Sequence, residues 1–185
     1  MMKTKFLLTV LFAFFVHNAY SQIKFEESFD NDLIIIGNIS SGAALNALGG
    51  TTTVQAPEHR LYCRIFKDKT TYGILVSTSN RFDDDFEFAL GTDIETAKES
   101  INAILGFIAN SDKGKSISLT DEDNRRIQMN YDRKNAVTFK AISNTDEVVC
   151  DNVLITKKNF EKALLLLDTK AEEKVAKAMA KNKEK

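Results

Sequence analysis

The chain has 185 residues, 43% hydrophobic and 28% charged, which is the make-up of a folded domain and excludes a disordered or collagen-like polymer. With 25 basic residues against 26 acidic ones it has no bulk attraction for a nucleic-acid backbone. Two cysteines and two histidines, one of them in the leader read below, are too few and too scattered to form a metal-ligand set.

The first predicted element is a leader. Lys3 and Lys5 precede an apolar run, Phe6–Val16, and Ala19 and Ser21 supply small residues at a cleavage site. This layout predicts a secretory signal over residues 1–21, cut before Gln22. The apolar run is well short of the roughly 20 residues needed to span a bilayer. Loss of Lys3 and Lys5 takes the basic count from 25 to 23 against 26 acids, a net of −3. No cysteine closely follows the run, so lipid attachment is not predicted. The mature chain is expected to be soluble and exported, periplasmic or extracellular in a bacterial host.

Over residues 22–50, Leu33–Ile36 reads as a buried strand and Ser40–Leu48 as a short helix closed by Gly49 and Gly50. The glycines lack the spacing of a phosphate-cradling loop. From Thr51 to Leu90 the pattern is strand-like: Thr51–Ala56, halted by Pro57, then Leu61–Phe66, Tyr72–Thr78 and Phe86–Leu90. Alternation there predicts one face buried and one toward water. At Thr92 the period changes. Ile94, Ala97, Ile101, Ile104, Leu105 and Ile108 form one apolar stripe, a helix capped by Thr92 or Asp93 and ended near Asn110–Gly114. Strand signals return at Ile117–Leu119, Ile127–Tyr131, Val137–Ala141 and Val148–Ile155. A second helix opens near Thr156, with Phe160, Ala163, Leu164 and Leu167 on one face. The Lys/Ala/Glu-rich tail, residues 169–185, reads as a solvated helix beyond a single domain over 22–168.

Both halves therefore run four strands and a helix. Leu90 and Leu154, and Thr92 and Thr156, share an offset of 64 residues, while Phe66 and Tyr131 correspond with a slip of one. The expected fold is α+β, predominantly antiparallel sheet packed with two helices, as two ββββα units. That order of elements resembles the PUR-repeat and Whirly single-stranded nucleic-acid-binding domains, a resemblance of topology without a shared motif. A single sheet of seven or eight strands closed by the last helix, as in PH-like domains, is the alternative arrangement.

No catalytic, cofactor or metal site is read from the residues. Asp83–Asp85 with Glu87 is the densest acidic group, yet it lacks the alternate spacing and turn glycine of a calcium loop. Asp121–Asn124 reads as a turn. His59, beside Pro57, reads as a surface-loop histidine. No nucleophile elbow occurs around Ser41 and Gly42. Arg125, Arg126, Arg133 and Lys134 mark two ends of one strand, with acids beside them. Cys63 and Cys150 are a disulfide candidate in an oxidising compartment, although both sit in apolar runs.

The function expected from these observations is a non-enzymatic, exported domain that binds a protein or envelope component. A small-ligand or hydrolytic site assembled from distant loops is one alternative. Single-stranded nucleic-acid binding is another, and it requires Tyr62, Phe66 and Tyr131 to be exposed on a sheet face.

Overall fold

Alternating apolar residues generate most of the strands. The computed structural model describes residues 24–27, 33–40, 45–46, 53–54, 58–66, 69–77, 86–120 and 126–183. The expected signal at 1–21 lies outside them. The strands are β1 (Lys24–Glu27), β2 (Leu33–Asn38), β3 (Leu45–Asn46), β4 (Thr53–Val54), β5 (Glu58–Phe66), β6 (Lys69–Ser77), β7 (Phe86–Gly91), β8 (Lys115–Thr120), β9 (Arg126–Arg133), β10 (Ala136–Ile142) and β11 (Val148–Thr156). The helices are α1 (Ile94–Asn110), α2 (Lys157–Thr169) and α3 (Ala171–Lys183).

One antiparallel sheet has the order β1-β7-β6-β5-β2 and a second the order β11-β10-β9-β8. Each contains a four-strand meander that leads into a helix: β2, β5, β6 and β7 into α1, then β8 to β11 into α2. The α+β class and the two ββββα units are thus present, and two separate sheets replace the single-sheet alternative. The constant offset does not survive. β6 and β10 begin 67 residues apart, at Lys69 and Ala136, whereas the caps Asp93 and Thr156 are 63 apart. The repeat is one of topology, with loops of different length.

The helix starts are built alike. Asp93 accepts from the Thr96 amide at 2.8 Å while the Thr96 hydroxyl returns to the Asp93 backbone. Thr156 and Asn159 form the same reciprocal box, the arrangement that satisfies orphan amides in a first turn. Asn159 Nδ2 also donates to the Ile39 carbonyl at 2.8 Å, fixing the start of α2 to the end of β2.

The core lies where both sheets and the helices meet. Leu61 and Cys63, Tyr72, Ile74 and Val76, and Phe88 and Leu90 supply the first sheet's contribution. Ile127, Met129, Val137, Phe139, Ala141, Val153 and Ile155 supply the second's. Ring contacts tie three elements together. Phe88 and Phe139 centroids lie 5.1 Å apart, and Phe139 and Phe160 lie 6.4 Å apart.

Three expectations need correction. The helix expected at Ser40–Leu48 gives way to a strand at Leu45–Asn46 paired with Thr53–Val54; β-branched residues across from it favour a ladder. The first sheet does not turn its second face to water, because Tyr62, Leu75, Glu87 and Ala89 are buried too. The tail is not merely solvated. α3 lies against β2, Ala171 is fully buried and Val175 packs on the core.

Candidate functional site

Helix ends bring charge together on one side of the molecule. Asp93 and Glu95 belong to the start of α1, and Glu172 to the first turn of α3, where acids complement the helix dipole. Asp168 lies in the last turn of α2, where the dipole disfavours it. Lys98 offsets that cost: its ammonium lies 2.7 Å from Asp168 and 2.9 Å from Glu95. These bonds, Asp168's first, raise the Lys98 pKa above its ordinary value.

Together these residues line a cleft of about 510 Å³ with Thr70 and Tyr72 of β6, Ile94 and the buried Leu167. Tyr72 is opposite Cys63 across the β5–β6 ladder, and its hydroxyl is hydrogen-bonded to the thiol. Burial first, then Cys63 and the charges of Asp93 and Glu172, push the phenol up to about 12. Burial pushes the Cys63 thiol up to about 11, with the Tyr72 hydrogen bond opposing. Both groups therefore stay protonated at neutral pH, and the cleft's chemistry is that of fixed negative charge around a phenol.

Two close approaches set this geometry. A Cβ at Gly91 would lie 2.4 Å from Thr96 Oγ1 and 2.5 Å from the Ala97 nitrogen, so only glycine lets β7 run directly under the first turn of α1. Ser100, fully buried, donates to the Leu90 carbonyl at 2.6 Å and holds the helix there.

The residues singled out from sequence are dispersed. Cys63 is a free, buried thiol, and the side chain of Cys150 on β11 is outside the described residues. Asp83–Asp85, Asp121–Asn124, Arg125, Ser41 and Gly42 also lie outside them. Glu87 does not join an acidic surface group. It is 1% exposed and takes a two-point salt bridge from Arg64, with Nε donating to Oε2 at 3.1 Å and Nη2 to Oε1. Arg126 pairs with Asp146. Arg133 is at the other end of β9, seven residues or roughly 23 Å of extended strand away, so the two do not share a patch.

His59 is not a loop residue. It lies in β5, 4% exposed, and neither ring nitrogen has a hydrogen-bond partner among the described residues. Of the three aromatic residues required by the nucleic-acid reading, Tyr62 is 1% exposed and only Phe66 is exposed. Tyr131 is half-buried, edge-on to Phe107 of α1 at 6.4 Å. They do not form a common stacking surface.

Reasoning from sequence used Asp93 and Glu95 only as helix-start residues and missed the cleft. Its sequence trace is the acids at the start of α1, the end of α2 and the start of α3. Among the described residues, no cluster of three or more His, Cys, Asp or Glu is placed to hold a metal ion. No described helix is long and apolar enough to cross a membrane. Compared with protein-family models, curated proteins and solved structures, the chain has no match.

Proposed function

We propose that the chain is an exported binding module that receives a cationic segment of a protein or envelope partner in the cleft between α1, α2 and α3. The observation that carries this reading is the cleft's charge. Asp93, Glu95, Asp168 and Glu172 stand against Lys98 alone, leaving three negative charges around about 510 Å³. Ile94, half-buried at the cleft, offers apolar surface to the methylene stem of a lysine or arginine whose head group meets the carboxylates. Such an attraction acts chiefly on encounter rate and selectivity, and salt screens it.

The test is crosslinking of the tagged mature protein in its native envelope, with mass spectrometry, beside a Glu172→Lys variant. Glu172 is exposed, so reversal leaves the fold intact. Recovery of a basic partner should fall about tenfold in the variant at low salt. A partner recovered equally by both proteins, or none with either, defeats the proposal.

A further inference from the structure

A lysine on a helix is stabilised by an acid three or four residues away and opposed by another lysine at that spacing. The second half of α3 sets lysines against one another. Residues 174–183 hold four lysines and no acid. Lys174, Lys177 and Lys181 follow at steps of four and three, so they form one stripe along the helix. All three are exposed, and among the described residues none takes part in a salt bridge, not even Lys177 with Glu173. The helix dipole accounts for cations in a last turn, whereas Lys174 is the fourth residue of α3.

This half of α3 also stands clear of the body. Ala171 is buried and Val175 packs on the core, but Lys177, Met179, Ala180 and Lys181 are exposed. The same helix begins at the acidic cleft, with Glu172. Lys181 lies nine residues further on, about 14 Å along the axis and about two and a half turns away. The half turn puts the stripe on the side of α3 opposite Glu172, so it faces away from its own cleft.

We propose that the α3 lysine stripe enters the acidic cleft of a second copy of this chain, an inference that rests on the reading of that cleft as a receiver of cations. Charge selects the occupant. Three lysines meet a cleft whose four carboxylates outnumber Lys98 by three. Neighbours in the stripe are about 5–6 Å apart, close enough for adjacent lysines to share one cleft. Because stripe and cleft face opposite ways, a single partner does not fill both. Association is therefore head-to-tail and does not close as a two-fold pair.

Sedimentation equilibrium of the mature protein tests the docking, over a concentration series into the submillimolar range at low and high salt. At low salt the wild type is expected to pass the dimer mass, and high salt should return it to the monomer. Glu172→Lys takes the cleft from −3 to −1, and Lys177→Glu with Lys181→Glu takes the stripe from +3 to −1. Each change should weaken association about tenfold. Mixed in equal amounts, the two variants should form dimers and nothing larger, since one brings an intact stripe and the other an intact cleft. Misfolded protein would not do so. A wild type that never passes the dimer mass, association undiminished in either variant, or a mixture that stays monomeric overturns the inference. If the wild type stays monomeric while Glu172→Lys still loses a basic partner, docking between copies falls and the reading of the cleft stands.

Discussion

His59 shows how a single buried side chain sets a pH dependence. Burial lowers its pKa from 6.5 to about 4, because the imidazolium would lose its hydration where no partner replaces it. The folded-state value lies below the unfolded one, so the unfolded chain binds more protons between them. The neutral ring's contribution is whole above about pH 6.5 and is lost as pH falls toward 4. At pH 5 that loss is about 2 kcal/mol. Urea unfolding of the wild type and His59→Val at pH 7.5 and pH 5 isolates it, since other groups titrate in both. The stability difference between the two proteins should shift by about 2 kcal/mol against the wild type on acidification; an unchanged difference would refute the assignment. At Gly73 the constraint is steric rather than electrostatic. A Cβ there would lie 2.3 Å from the Phe88 carbonyl oxygen and 2.7 Å from the Tyr62 hydroxyl. Overpacking of this kind costs about 1–3 kcal/mol.

At the scale of elements, α1 was the most legible. Its stripe over Ile94, Ala97, Ile101, Ile104 and Ile108 and its cap at Asp93 are where the 3.6-residue period places them. The strands of the second sheet were legible for a like reason: Met129, Val137 and Phe139 are buried while their neighbours Asn130 and Thr138 are only half-buried. The first sheet was harder, because apolar residues on both faces erase the alternation that marks an outside. His59 was hidden by its polar neighbours Glu58 and Arg60, and the cleft by its dependence on how α2 ends beside α1. The tail was misread because composition records solvated lysines and not the two small contacts that dock α3. Ending the chain after Thr169 removes the buried Ala171 and the packed Val175. That should cost about 2 kcal/mol, lowering the melting temperature by several degrees. A truncated protein that melts with the full chain would restore the view of α3 as a solvated appendage.

At the scale of the whole molecule, two repeated units need not be two folding units. A ββββα unit leaves one apolar face of its sheet and the stripe of its helix to be covered, and here each unit covers the other. Phe139 of the second sheet lies between Phe88 of the first and Phe160 of α2, so one ring supports all three. The inward residues of both sheets form one cluster rather than two. A protein built this way should unfold in a single transition, with matched calorimetric and van't Hoff enthalpies. Phe139→Ala should then cost about 3–5 kcal/mol, and that loss should be shared. Native-state hydrogen exchange reads it strand by strand. The opening free energies of the buried amides of β6, in the first sheet, should fall as far as those of β10, in the second. If β10 weakens while β6 keeps its protection, the units are energetically separate, and the shared aromatic column is a contact without a coupling.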